Sequence, residues 1–437
     1  MANKRARISL VEYGSPISLG QTVSLAIGID GTKATKILTD AGNRAATNLN
    51  FSYNPISVDN RGVRAIDFAG LIRLSPSLEL EVAPKFLGLT ASDESWREDF
   101  FFLSTLSRHG SLLTSDRLSA SSNTPREIST LVALSMTNMY DTRKRRPLRS
   151  YRRTREADFF IDGDIEPIDL IFPSADGFEQ EVIHFDRRNG WNADIMAAAK
   201  ELLPEVSDPS TASSLIRLIE DLAPQNKPHN RRKPIPARHR AWNPLHQLSI
   251  DVLNGLGLNY QQGYAHAPGY LISTWRVWED LITIASKIGF GRSAILHQKG
   301  FTLGTKTKYS SGKKTELSVF PDCVIQSDGH RPKILLDAKY KGHIEKGALR
   351  ITEADIYESL AFSQATKCNN VVLAYPATPK DKPLPVGTCT VFERIQVDSV
   401  EIVGIQVECR KISKVAGLRS FSSNFETGVS KLFNQIT

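Results

Sequence analysis

Two short segments carry the side chains most suited to chemistry. Leu317-Ser-Val-Phe-Pro-Asp322 lies upstream and Lys333-Ile-Leu-Leu-Asp337-Ala-Lys339-Tyr-Lys341 downstream. Gln326-Ser-Asp-Gly-His-Arg-Pro332 between them has turn composition. An antiparallel hairpin centred between Gly329 and His330 sets Asp322 opposite Asp337, and directly opposed residues share a sheet face. Alternation along the strand predicts Asp337, Lys339 and Lys341 on that face, with Ile334, Leu336, Ala338 and Tyr340 on the other. Opposed carboxylates repel unless a cation sits between them. Mg2+, with Mn2+ as a substitute, is the natural one, since it is held by one or two carboxylates plus waters and substrate phosphate. Bound there, such an ion polarises a phosphodiester and activates a water. Lys339 would lie beside the reacting phosphate, where it either stabilises developing charge or positions and deprotonates the water. The expected chemistry is phosphodiester hydrolysis, with Asp322 and Asp337 as metal ligands.

A third carboxylate is expected from Trp275-Arg-Val-Trp278-Glu279-Asp280-Leu281-Ile282. Trp278, Leu281, Ile282 and Ala285 form an apolar helical stripe, and Glu279 sits at its edge. Asp280 is its rival and is expected to point further toward solvent. The elements that must position these groups read as a compact α/β domain from Trp242 onward. Helices are predicted at 244–256, 272–288 and 352–367, and strands near 294–303, 315–325, 333–341, 370–375, 387–394 and 397–409. The strand–helix–strand unit over 333–375 predicts a parallel pair joined by a crossover helix.

Upstream, residues 1–90 read as mostly strands, including Thr22–Ile27, and 95–107 as a helix. Thr124-Pro125-Arg126-Glu127 has the composition of a helix start. Of the thirteen residues 143–155, eight are basic, among them Arg143, Arg145, Arg146, Arg152 and Arg153. Such a run is either a solvated loop, a phosphate-neutralising DNA contact that reads no sequence, or a contact with an acidic partner face. Residues 159–172 read as a strand pair and 191–223 as helical. Asn226–Arg240 reads as a linker or an ordered basic arm. The chain has 437 residues with 55 Lys and Arg against 47 Asp and Glu, an excess that favours polyanionic partners only weakly. The four cysteines lie far apart without C-x-x-C spacing, which argues against a zinc site or disulfide framework and fits a reducing cytoplasm. No apolar run approaches the roughly 18 residues of a membrane span, and the N-terminus lacks the apolar core of a secretory signal.

Pro321-Asp322, fourteen residues, then Asp337-Ala338-Lys339 resemble the PD-(D/E)xK nuclease signature. Phe320-Pro-Asp322, Leu336-Asp-Ala-Lys-Tyr-Lys341, Ala354-Asp-Ile-Tyr357 and Val371-Val-Leu-Ala-Tyr-Pro376 resemble the McrC family, nuclease subunits of modification-dependent restriction systems. Trp278-Glu279-Asp280 is similar to that family's aromatic-Glu segment, and Leu80-Glu-Val-Ala-Pro-Lys85 to its N-terminal apolar-Pro-Lys segment. Tyr357-Glu358 departs from the Tyr-Gln of many relatives. The resemblance implies a restriction-endonuclease-like mixed sheet flanked by helices, preceded by a β-rich and helical N-terminal region. It implies a Mg2+-dependent DNA endonuclease subunit working with a McrB-like AAA+ GTPase or ATPase whose ring the N-terminal part engages. No G-x-x-x-x-G-K-[ST] motif occurs, so the motor would be another polypeptide. Cutting both strands implies a homodimer on DNA. Expected boundaries are 1–115, 116–235 and 236–437.

Beside these stand plainer expectations. Asp337-x-Lys339 alone reads as a strand ion pair, and Glu279 as a solvated helix residue. Lys341 reads as a backbone-phosphate contact or solvated. His297-Gln298-Lys299 resembles Q-x-K variants of nuclease sites, but is read as a strand end or phosphate contact. The basic turn at Lys306, Lys308, Lys313 and Lys314 is either a DNA-backbone track or solvated. Rival functions are a stand-alone restriction endonuclease and a non-cleaving DNA-binding or regulatory subunit.

Overall fold

The computed structural model describes residues 6–18, 31–75, 78–88, 96–109, 128–206, 208–223, 228, 234–253, 270–327, 331–345, 348–379 and 384–433. The readings at Thr22–Ile27 and Thr124–Glu127 fall outside them. The elements in chain order begin with β1 (Ala6–Val11), α1 (Gly31–Leu49), β2 (Ile56–Asp59), β3 (Gly62–Ala65), β4 (Phe68–Ser75), β5 (Leu78–Ala83) and α2 (Trp96–His109). They continue with α3 (Ile128–Arg143), β6 (Ser150–Asp158), β7 (Asp164–Ile165), β8 (Phe178–Asp186), α4 (Gly190–Leu202), α5 (Pro209–Leu222) and α6 (Asn243–Leu253). Then come β9 (Tyr270–Ser273), α7 (Thr274–Gly289), β10 (Ile295–His297), β11 (Phe301–Thr307), β12 (Lys314–Val319), β13 (Cys323–Gln326) and β14 (Pro332–Ala338). The last are β15 (His343–Glu345), β16 (Ala348–Arg350), α8 (Glu353–Thr366), β17 (Asn370–Pro376), β18 (Cys389–Val397), β19 (Val400–Val407) and α9 (Gly417–Leu432). The chain is thus mixed α/β. By its internal contacts it divides into two units, one of 1–5, 72–78 and 127–270, the other of 6–71, 79–126 and 271–437.

In the second unit a six-stranded sheet runs β10-β13-β14-β17-β19-β18. β14, β17 and β19 are parallel neighbours, and antiparallel strands flank them. The central strands are apolar on both faces; Leu335, Leu336, Val371 to Ala374 and Ile402 are buried. Near-continuous Val, Ile and Leu runs of this kind belong to parallel strands covered on both sides. α8 is the crossover from β14 to β17. Thr352 caps it by accepting from Asp355 N at 3.2 Å, and Lys367 closes it in the left-handed region. α7 buries Val277, Trp278, Leu281, Ile282 and Ala285, the stripe expected from its spacing.

Several segments depart from the sequence reading. α1 is a 19-residue helix within a region read as strands. Its core face is small: Ala34, Leu38, Ala41, Ala45 and Leu49 are buried at three- and four-residue intervals, a stripe that polar Thr and Asn neighbours obscure. The strand expected at 294–303 breaks at Gln298, which sits at φ +46°, and β11 leaves the sheet to pair with β12. The strand expected at 315–325 breaks at Phe320-Pro-Asp322. In the first unit, 159–172 is not itself a strand pair; it holds the short β7 and a one-turn helix, Pro167–Ile171. The basic run is a loop only over 144–149. Its first residue ends α3, and 150–155 form most of β6, paired along its length with β8. Alternating Tyr, Arg and Thr suit a half-exposed strand, but charge density masks the pattern. Helices α3 to α6 form the core of this unit, with Leu131, Met136, Ile195, Leu202, Leu215, Leu218 and Leu248 buried.

Candidate active site at the end of the central hairpin

β13 and β14 pair Cys323 with Leu336, Val324 with Leu335 and Ile325 with Ile334. This is the register read from the sequence. Carried one residue further, it sets Asp322 across from Asp337. A bulge follows at Ile325/Gln326, so the irregularity lies at the turn end, away from the carboxylates. Asp322 Oδ2 accepts from Ala338 N at 2.8 Å. β14 ends at Ala338, and Lys339 leaves the strand while still donating its backbone N–H to Ala374 O at 2.9 Å. Trp278 Nε1 donates to Ala374 O at 2.9 Å, so one buried indole fixes α7 against β17. That anchor turns the next residue, Glu279, toward the hairpin. Glu279 Oε1 accepts from Gln298 Nε2 at 2.8 Å, and Gln298 is itself tied to Asp322 O by its backbone N–H at 3.1 Å.

The electrostatics are those of crowded acids. Burial raises the Asp337 carboxyl to about 7; Lys339 pulls it back and Asp322 pushes it up. Burial likewise raises Asp322 to about 6, with Ala338 N–H opposing and Glu279 adding to the rise. Glu279 is raised by burial too; the Gln298 hydrogen bond opposes this, and Asp280 and Asp337 add to it. Three carboxyls that disfavour ionisation, side by side, form a site that attracts cations.

One cation is built in. Lys339 Nζ lies 2.7 Å from Asp337 Oδ2, 2.6 Å from Glu358 Oε2 and 3.6 Å from Asp355 Oδ1. Burial alone would drive its proton off, but Asp337 and Glu358 more than offset this and hold it above the usual lysine range. Asp337 Oδ2 meets the ammonium off the direction a hydrogen bond requires, and is buried without a directed donor. The contact is therefore an ion pair that leaves acceptor capacity on Asp337. Among the described residues, no three His, Cys, Asp or Glu side chains form a ready-made metal cage. Mg2+ does not need one, because one or two carboxylates with waters and phosphate suffice. The Asp322–Asp337 pair, with its unspent acceptor, fits that demand.

Lys341 is diverted. Its Nζ pairs with buried Asp67 at 2.9 Å, and Asp67 also accepts from the Tyr13 and Tyr53 hydroxyls. Arg143, Arg145, Arg146, Arg152 and Arg153 lie in the other unit. Arg143 bonds Ala241 O and, at 2.8 Å, Met139 O. Arg152 pairs with Asp186 at 3.2 Å and Arg153 with Glu181 at 3.5 Å. Arg145 and Arg146 are exposed. Three of the five thus have partners within their own unit.

Three side chains at the site go beyond what the sequence signals. Gln298, expected as a strand end or phosphate contact, touches Glu279; its place between His297 and Lys299 is the available signal. Glu358, the departure from Tyr-Gln, and Asp355 stand three residues apart on α8 and both face Lys339, a contact that no local spacing reveals. The N-terminal segment also reaches the site. Lys85 Nζ donates to Tyr340 O at 2.5 Å and stands 4.1 Å over the Tyr340 ring. Buried Glu12 accepts from the Tyr340 hydroxyl and, at 2.6 Å, from Thr274 Oγ1. Burial raises Glu12 to about 7, against the pull of Thr274, Tyr340 and Lys85. This network braces both the start of α7 and the residue that follows Lys339.

A family model described as McrBC 5-methylcytosine restriction system component matches residues 63–376. No curated protein matches. A chain of the half-complex from the tetradecameric assembly of Thermococcus gammatolerans McrB AAA+ hexamers with bound McrC aligns at TM-score 0.67 and 13% identity, covering 98% of this chain and 100% of that one. A chain of the Thermococcus gammatolerans McrBC complex aligns at TM-score 0.44 and 14% identity, over 63% and 85% respectively. Among the described residues no helix is long and apolar enough to cross a membrane.

Proposed function

The chain belongs to the McrBC family of 5-methylcytosine restriction system components, and on that premise we propose that it is the McrC-like nuclease subunit, hydrolysing DNA phosphodiesters with Mg2+ and a McrB-like AAA+ partner. The observation that carries this reading is the meeting of Asp322, Asp337, Lys339 and Glu279 at one end of the central hairpin. Asp322 and Asp337 would hold the ion, with Glu279 assisting. Mg2+ bound there supplies Lewis-acid polarisation of the phosphodiester and a water of lowered pKa. Asp322 is aimed by Ala338 N–H, and Glu279 by Gln298. Lys339 keeps its proton beside two carboxylates, which favours electrostatic stabilisation of the developing phosphate charge over proton abstraction. Glu358 and Asp355 hold that ammonium in place until phosphate competes for it.

For a partner, the β6–β8 unit offers an apolar tip. Phe160, Ile171 and Phe172 are 78%, 67% and 72% exposed, with Phe159 and Ile161 beside them. Contiguous exposed apolar surface of this kind marks protein contacts. The McrB hexamers found with bound McrC in the Thermococcus assembly make a AAA+ ring the natural occupant. A homodimer on DNA would supply the second active site.

The test is DNA cleavage by wild type and Asp337→Asn, each with the motor partner, nucleotide and Mg2+. The expected result is loss of cutting in the variant with partner binding retained. Undiminished cutting by Asp337→Asn would remove the site, and cutting by wild type with Mg2+ alone would remove the motor requirement.

A further inference from the structure

Beside the carboxylates lies a cleft of about 430 Å³, within the second unit, that hydrolysis alone does not explain. Glu279 and Ala338 form its catalytic edge, and Trp275, Arg276, Phe51 and Tyr53 line it further out. Phe51 and Tyr53 stack at 5.4 Å with 7° between their planes. Tyr53 is held in place because its hydroxyl is bonded to buried Asp67, which Lys341 neutralises. Trp275 is 36% and Tyr53 43% exposed, and Arg276 stands 5.0 Å over the Trp275 ring. Partly exposed aromatic faces at a wall cost free energy in water unless something flat covers them. Arg276 stands at the opening as a cation, whereas Lys341 is spent on Asp67, so the occupant is flat and meets one cation at the rim.

Resting on the nuclease reading above, we propose that this cleft holds one unstacked nucleotide of the DNA strand being cut, next to the scissile phosphate. Its base would lie against Tyr53 and Trp275, and its phosphate would meet Arg276. The cleft volume lies at the lower end of the range for small-molecule sites, roughly 300–1,000 Å³, as a single nucleotide requires. Stacking is sequence-tolerant because every base has a π-face. A base must leave the duplex to enter, which favours single-stranded, mismatched or locally opened substrate. The connection between α1 and β2 thereby becomes part of the substrate site.

The experiment measures binding of a short fluorescein-labelled oligothymidylate, and of the same strand made abasic, to the full chain with its motor partner in Ca2+. Proteins are wild type, Tyr53→Ala, Trp275→Ala and the milder Tyr53→Phe. Loss of one base stack is expected to weaken oligothymidylate binding about 5- to 100-fold in the alanine variants. Binding of the abasic strand should stay within about twofold of wild type, since base stacking is what the alanine variants remove. Tyr53→Phe, which keeps the ring, should retain most of the affinity. Equal loss on both strands would mean that the rings only support the fold, and unchanged binding in both alanine variants would mean that the cleft takes no base; either result overturns the proposal. Neither touches the nuclease reading, which stands or falls on cleavage by Asp337→Asn.

Discussion

The crowded carboxylates predict a variant that is more stable and inactive. Asp322→Asn removes one negative charge from beside Asp337 and Glu279 while keeping an oxygen to accept from Ala338 N–H. Asp322 is raised from 3.8 to about 6. A folded-state carboxyl raised in this way holds its proton more tightly than the unfolded chain does. Its ionisation therefore costs nothing below the unfolded value, grows as pH rises from 3.8 to about 6, and is complete above that. At pH 8 the cost is at most about 3 kcal/mol, and at pH 5 about half as much. Partial exposure and relaxation reduce it, so the expected gain for Asp322→Asn at pH 8 is about 1–2 kcal/mol, or about 1–3 °C in melting midpoint for a unit of this size. Thermal unfolding of the metal-free protein at pH 5 and pH 8 reads this directly. Added Mn2+ should raise the wild-type midpoint by binding only the folded state, and should raise that of the variant much less. A variant less stable than wild type at pH 8, or a gain independent of pH, would falsify the cost of ionising this buried carboxyl on which the reasoning rests. An equal Mn2+ shift in both proteins would show that Asp322 holds no ion.

Other outcomes follow from the neighbouring contacts. Lys85→Met removes a charged hydrogen bond to Tyr340 O and a cation–π contact, so it should destabilise by about 1–3 kcal/mol in denaturant unfolding, with Glu12 taking up a proton to limit the loss. It should also lower cleavage, because Tyr340 follows Lys339. Asp99 is buried and accepts from Lys411 N at 2.6 Å, Ser413 N at 2.9 Å and Ser413 Oγ at 2.6 Å. Asp99→Ala leaves two backbone donors unpaired and should cost about 3–5 kcal/mol, read as a lower urea midpoint. Glu358→Gln removes a half-exposed ion-pair partner, so its effect on cleavage should stay within about tenfold, whereas Lys339→Met should abolish cutting. Phe160→Asp with Phe172→Asp should weaken association with the motor ring in sedimentation experiments and leave the melting midpoint within about 2 °C.

The hairpin register was legible in the sequence because strand alternation and turn composition are local properties. Once the turn is centred, Asp322 and Asp337 have no freedom to take other faces. The α7 stripe and the α8 crossover were legible for the same reason, through helical period and strand–helix–strand order. α1 and β6 were not, because a small-residue core stripe and a charge-rich strand give weak hydrophobic contrast until a partner surface covers one side. The companions of the site were decided by tertiary structure. Gln298 reaches Glu279 because the chain turns at a left-handed residue, and Glu358 reaches Lys339 because the crossover helix packs over the strand end. Glu12 and Lys85 reach Tyr340 across more than two hundred residues of chain. The same packing set the charge state of the site, since pKa values follow from burial and from neighbours in space. A sequence specifies which acids and amines exist and which alternate along one strand. How much water the folded chain leaves around them, and hence how strongly they call for a cation, arises only when distant segments close over them.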